Sequence, residues 1–286
     1  DDIYQALRDA AVTKTAFNAA FERVCISHYF GWELMDPAQW RCTMVRAARM
    51  GLPLSLGQCG EVLRIADGKM KEGASLIRYC RCATRKKEGT IIRHLHADAP
   101  ERWEVFKQYC QRDVEVEQAI LKIVRRLIPA DFDEELYTVD QLINDRGVLI
   151  DRQLVDNAAR FDEEYKAELL KEAQQLTGME NPNSPAQIKE YLHKVTGQVF
   201  QSLNKKSLDD IEDSLYYYPK AKRVLALRRE MGKTSNKKYN AMQQCVCADG
   251  RIHGLLQFCG AARTGRWAGR LVQVQNLPQN HLQDLD

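Results

Sequence analysis

No apolar run in the sequence approaches the roughly 18 residues that a membrane-spanning helix needs. The opening residues carry no signal-peptide pattern of basic, apolar and small residues. Cys-x-x-Cys spacing is absent too. The nine cysteines are odd in number and scattered, which argues against a disulfide framework or a zinc ribbon. Cys80/Cys82 and Cys245/Cys247 are Cys-x-Cys pairs without a matching pair nearby, so the expectation is buried, reduced thiols in a cytoplasmic protein. There is no internal repeat and no low-complexity tract. The first residue is Asp1 rather than Met, which reads as a cut rather than a natural start.

What is present fits a globular chain with a real core: 286 residues, 44% hydrophobic and 28% charged, enough for two or so domains. Net charge is only +3, but it is unevenly placed. From Ala221 to Arg270 there are eleven Lys or Arg against two acids, Glu230 and Asp249, leaving the rest of the chain acidic. A basic stretch rich in glycine and glutamine points to a polyanion, and nucleic acid above a merely solvated face.

Periodicity predicts the elements. Apolar residues at Phe17, Phe21, Val24, Cys25 and Tyr29 follow helical spacing. Ser55 is placed to cap the helix after a Gly-Leu-Pro turn. A long amphipathic helix opens at Pro100 and runs until Pro129 marks its end. "NPNSPAQIKEYLHKVTG" predicts a turn and a capped helix, Val148 to Ile150 a short extended piece, and "DGRIHGLLQFCG" a turn into a strand. His94 and His96, two apart without a nearby partner, are expected to face solvent rather than bind metal.

Two constellations carry chemistry. In "FNAAFER", Asn18 and Glu22 are four apart; in "YCQRD", Tyr109 and Asp113 are four apart. Carboxylates from two helices can converge on divalent ions that split phosphodiesters, and a neighbouring tyrosine can orient the attacking water. The second constellation is "TGRWAGRLVQVQNLPQ", with two Gly-Arg pairs, three glutamines and no acid. Arginine and glutamine can donate to minor-groove acceptors that every base pair presents, so such contacts test shape rather than sequence. Gly265 is expected to let the backbone approach closely.

Order and flanks join the two. Asn18-x-x-x-Glu22 and Tyr109-x-x-x-Asp113 resemble the second and third motifs of ribonuclease H-like 3′–5′ proofreading exonucleases, with Glu22 in place of the usual Asp. The run Thr264-Gly265-Arg266…Gln275-Asn276-Leu277-Pro278 resembles the Thr-Gly-Arg-Leu…Gln-Asn-Ile-Pro motif of family A DNA polymerases, with Trp267 for Leu and Leu277 for Ile. Between them, "INDRGVLID", "NSPAQIKEYL" and "ALRREMGKTSNKKY" resemble the entry, middle and tip of the polymerase thumb. The spacing looks phage-like.

The resemblance implies an α/β fold: an exonuclease domain lacking its first strands (1–128), a mainly α-helical thumb (129–250) and the first β-strands of the palm (251–286). It implies catalytic roles for Glu22, Tyr109 and Asp113, with Glu22 and Asp113 as ligands of Mg²⁺, or Mn²⁺ in its place. DNA contacts fall on Asn18, Lys233, Lys237, Lys238, Thr264, Arg266, Gln275 and Asn276. Implied partners are primer-template DNA and single-stranded 3′ ends, with deoxynucleotides for the full-length parent, in a bacterial cytoplasm or phage-infected host. An early Asp-x-Glu and the palm carboxylates of the family are not found, so a fragment cut on both sides is expected, inactive in polymerisation by itself. The competing readings are a stand-alone exonuclease with a helical nucleic-acid-binding tail, and a non-catalytic DNA-binding module.

Overall fold

A computed structural model describes residues 2–65, 73–80, 84–85, 90–92, 94–126, 131–233, 236–261 and 263–277. The chain begins with α1 (Asp2–Arg8), β1 (Lys14–Ala16), α2 (Ala19–Tyr29), β2 (Trp40–Cys42), α3 (Thr43–Arg49), α4 (Leu56–Val62), α5 (Gly73–Cys80), β3 (Thr84–Arg85), β4 (Ile91–Ile92), α6 (Pro100–Val124) and α7 (Asp131–Arg146). It continues with β5 (Val148–Leu149), α8 (Arg152–Thr177), α9 (Pro185–Thr196), α10 (Lys205–Ser214), α11 (Pro219–Met231), α12 (Lys237–Cys245) and β6 (Arg251–Ile252), and returns as β7 (Leu256–Ala261) and β8 (Arg266–Gly269). The fold is thus mixed and mainly helical, with short strands in two-stranded pairs among the described residues. Residues 1–147 and 254–270 form one compact unit; 148–253 and 271–286 form the other.

In the first unit, β1 and β2 pair in parallel, Lys14 opposite Trp40 and Ala16 opposite Cys42. Helix α6 starts with Pro100 at its first turn, where the missing N–H costs nothing. Its buried residues Tyr109, Val116, Ile120 and Val124 fall on one stripe, and α3, α4 and α5 pack on it. A second apolar cluster gathers Ala19, Trp40, Cys42, Met44 and Val45 with Tyr137 of α7 and Phe258 of β7.

Helix α2 buries an unusual face: Ala19, Arg23 and Ser27. Arg23 is only 1% exposed, and its Nη2 lies 2.6 Å from Asp145 Oδ1 while Nη1 donates to Met35 O at 2.9 Å. Arg23 is buried while Asp145 keeps 20% exposure, so removing Arg23 leaves Asp145 partly hydrated and costs toward the low end of the buried-pair range, about 3 kcal/mol. Arg23→Ala is therefore expected to lower stability by that order, read from urea unfolding; a loss under about 1 kcal/mol would contradict this account of the pair.

The second unit is helical apart from the antiparallel β5–β6 pair. Asp151 caps α8, accepting from Leu154 N at 2.9 Å, and Gly178 ends the helix in the left-handed region. Ser184 caps α9 ahead of Pro185, as the sequence predicts. The core joins Ile188, Leu192, Leu215, Ala221, Val224 and Leu225. Helix α8 packs on α11 and α12; Arg223 grips Glu172 with two 2.7 Å bonds, and Gln243 donates to Asp156.

Several expectations shift. Ser55 precedes α4 but its side chain caps nothing. Lys14–Ala16 is a strand and α2 begins only at Ala19. The long helix ends at Val124, before Pro129, which lies outside the described residues. Cys42, Cys59 and Cys259 are buried free thiols as expected, but Cys25, Cys110 and Cys247 are exposed. Cys82 lies outside the described residues. No described helix is long and apolar enough to cross a membrane.

Candidate carboxylate site and nucleic-acid interface

Asn18 is the exposed residue preceding α2, and Glu22 sits in that helix's first turn, where the helix dipole favours an anion. Glu22 is half-buried, and its Oε2 is shut off from solvent without a hydrogen-bond partner. Burial pushes its carboxyl above the usual range, against its own backbone amide; the charge of Glu117 pushes the same way.

Tyr109, Asp113 and Glu117 follow one another at four-residue intervals on α6, one face of the helix. Tyr109 is 3% exposed. Its ring stacks near Phe106 and occupies the space a side chain at Gly73 would need, where a Cβ would lie 2.1 Å from the ring. Asp113 is half-buried. Glu117 is 6% exposed and accepts a hydrogen bond from the Thr43 hydroxyl of α3; burial raises its carboxyl, which that bond opposes.

Sequence reasoning missed Glu117. Its signal, another four-residue step beyond Asp113, was visible but merged into the amphipathic pattern. The structure places Glu22 within electrostatic reach of Glu117. An oxygen-only donor set with a buried, unpartnered Glu22 Oε2 fits a hard divalent cation. Among the described residues no group of three His, Cys, Asp or Glu is close enough to cage one alone.

Buried carboxyls with raised values bind protons more tightly when folded, so their contribution to stability falls as pH rises through that window. Glu117→Gln keeps the Thr43 partner and removes one of two neighbouring charges. In chelator at pH 7 it is expected to melt higher than the parent chain, with the gap closing as pH falls and the carboxyls take up protons. A lower melting temperature at pH 7 would contradict the electrostatic reading.

His96 is exposed, as expected, while His94 is not fully solvent-facing. His94 is half-buried and stacks on Tyr79, centroids 4.1 Å apart, and His96 lies 6.1 Å from Trp103.

The basic segment divides. Arg223 is exposed and paired with Glu172 on the surface where α11 meets α8. Lys233 is exposed beside Glu230 at 2.8 Å, a pair weak enough to exchange. Lys237 is exposed at the start of α12, and Lys238 donates to Gln273 O at 3.3 Å. Thr234 and Ser235 lie outside the described residues.

The Thr264–Gly265–Arg266 run forms the turn into β8. Thr264 N and Gly265 N both donate to Ala261 O, at 3.0 and 2.9 Å. Gly265 has φ +65° with open space where a Cβ would stand, so the glycine serves the turn itself. Arg266 is exposed at the first position of β8, opposite Ala261. Gln275 and Asn276 are exposed in a 3₁₀ turn, Val274–Asn276, that belongs to the second unit. Pro278 lies outside the described residues.

A scan against protein-family models finds no match. A DNA polymerase of Bacillus phage SP02 is 48% identical over 287 aligned residues, which take in all of this chain and 44% of that protein. The chain thus spans less than half the length of that relative. Among solved structures, the polymerase domain of Pol1 from M. smegmatis, determined with DNA primer-template and dNTP, matches with a TM-score of 0.56 at 16% identity. That likeness covers 98% of this chain and 45% of the other, and it speaks for the fold alone. An identity of 48% along the whole of this chain makes it similar in sequence to part of that phage DNA polymerase.

Proposed function

We propose that the chain supplies the 3′–5′ proofreading exonuclease, the thumb and the first palm strands of a longer, phage-type family A polymerase that replicates DNA. The observation that carries this reading is the whole-length identity to a phage DNA polymerase, which spans both motif groups. The parallel β1–β2 pair, with α2 packed on both strands and α3 on β1, supports a ribonuclease H-like exonuclease unit.

In this reading Glu22 and Asp113 hold Mg²⁺, or Mn²⁺ in its place. When bound, the ions supply an activated water and stabilise the leaving oxygen. Tyr109, fixed by Gly73 and Phe106, orients the attacking group. Asn18, at the exposed entrance to α2, meets the single-stranded 3′ end. Lys233, Lys237 and Lys238 meet phosphates of the primer-template duplex, while Thr264, Arg266, Gln275 and Asn276 meet its primer end. Deoxynucleotides are substrates of the whole enzyme.

The test is paired assays on the full-length polymerase: template-directed extension, and digestion of single-stranded 3′ ends, each with Mg²⁺ and with chelator. Loss of neither activity in chelator would refute the metal assignment.

Each phosphate contact releases condensed counterions. Lys237→Ala is therefore expected to weaken duplex binding about equally for all sequences and to make log K against log[salt] shallower by about one unit. Anisotropy titrations over a salt series check this. An unchanged slope would remove Lys237 from the interface.

A further inference from the structure

The segment 254–270 is tied to α7 by a buried polar cluster for which the primer-end motif by itself gives no reason. Asp140 of α7 is 1% exposed, yet among the described residues no Lys or Arg is one of its hydrogen-bond donors. Its Oδ1 accepts from the Trp267 indole Nε1 at 2.7 Å; its Oδ2 accepts from Gln141 Nε2 at 2.9 Å and Asn144 Nδ2 at 3.2 Å. Asn144 in turn holds β7, bonding both the N–H and the C=O of Leu256 at 2.9 Å. Helix α7 thus grips β7 through Asn144 and β8 through Asp140.

The same grip extends to α2. Gln141 Oε1 accepts from Arg23 Nη2 at 3.4 Å, beside the Arg23–Asp145 pair. Burying a carboxylate among neutral donors is costly, and burial raises the Asp140 carboxyl above its usual range. Trp267 is 39% exposed, yet its indole N–H is turned to the buried Asp140 carboxylate rather than to water. The Trp267 ring meets Phe258 edge-on at 5.1 Å, and Phe258 lies 6.2 Å from Tyr137 of α7.

Neighbours on a strand leave opposite faces. Trp267 points to α7, so Arg266, the residue before it, points away, and its direction follows from how Trp267 is seated. The β7–β8 ladder alone does not fix this: between the pairs Gln257–Ala268 and Ala261–Arg266 the register shifts, four steps on β7 against two on β8. A bulge bends the strand and increases its local twist, and the indole anchor fixes β8 against α7 one residue from Arg266.

We propose that Asp140 is a positioning residue for primer-end recognition: through the Trp267 indole it seats β8 on α7 and sets the direction in which Arg266 reaches the terminal base pair. This rests on the reading of Arg266 as a primer-end contact.

The test uses the full-length polymerase and single-turnover extension from matched and mismatched primers at saturating enzyme, with duplex affinity measured alongside. Trp267→Phe keeps the ring and removes the donor. It is expected to slow matched extension about fivefold or more, the scale of one loosened hydrogen bond, and to lower the matched-to-mismatched ratio while leaving duplex affinity unchanged. Trp267→Leu, which restores the residue usual at this motif position, should do the same.

Combining Trp267→Phe with Asp140→Ala should lower the ratio no further than Asp140→Ala alone, because both remove one bond. Arg266→Ala serves as the reference. If it lowers the ratio and Trp267→Phe leaves it at the parent value, or slows matched and mismatched primers equally while lowering the melting temperature, the positioning role is overturned. If Arg266→Ala itself leaves the ratio unchanged, the primer-end reading fails and takes this proposal with it.

Discussion

Replacing Asp113 with alanine in the full-length polymerase is expected to abolish digestion of single-stranded 3′ ends while leaving extension from matched primers near the parent rate. The chemistry depends on ions that activate water and neutralise the leaving oxygen. Losing even an outer partner of a metal ligand costs about 10–100-fold, so losing a ligand should cost more, on the order of a thousandfold. The fold should tolerate the change. Asp113 is half-buried at the edge of α6's buried stripe, and the core contacts of that helix come from Val116, Ile120 and Val124. Melting temperature is therefore the control. If Asp113→Ala trims 3′ ends as fast as the parent, the carboxylate assignment is wrong; Glu117, one turn further on and held by Thr43, would then be the next residue to replace.

Arg266→Ala is expected to have the largest effect on synthesis. A well-placed groove contact is worth about 1–3 kcal/mol, which is about 5- to 150-fold in rate if the contact forms at the primer terminus. The loss should appear in single-turnover extension from matched ends at saturating enzyme. A terminal mismatch, which already misplaces the acceptors, should lose less. Arg266 is exposed, with its turn secured through Ala261 O, so the substitution leaves the hairpin's own bonds in place. Should only salt-dependent affinity fall, with saturated extension unchanged, Arg266 is a phosphate contact and its role matches that of Lys237.

The helices of the second unit were legible because their ends carry local signals. Ser184–Pro185 and the Gly197 stop bracket α9 within a dozen residues, and the Val148 strand stands out against charged neighbours. The Tyr109–Asp113 interval was legible as spacing and falls on one face of α6, whereas Asn18 precedes α2 and shares no helical face with Glu22. What the sequence hid is long-range. Asp140 reads as one more acid on a charged helix; its partner Trp267 is 127 residues away, and only folding shows that a neutral indole holds it. Asn144 and Leu256, 112 apart, likewise carry 254–270 back to the first unit where no composition change marks the return. The exposed pairing of Arg223 with Glu172, across 51 residues, was likewise hidden. Glu117 escaped because burial and apolar periodicity share the same four-residue step.

In the proposed reading the exposed bases around the start of α12 meet duplex DNA without regard to its sequence. The most direct measurement is equilibrium binding of the purified chain to primer-template duplexes of unrelated sequence across a salt series. The account predicts binding that strengthens steeply as salt falls, with log K linear in log[salt], a common slope for all sequences, and a shallower slope for Lys237→Ala. No measurable affinity for duplex at low salt, or affinity confined to one sequence with a salt-independent constant, would contradict it.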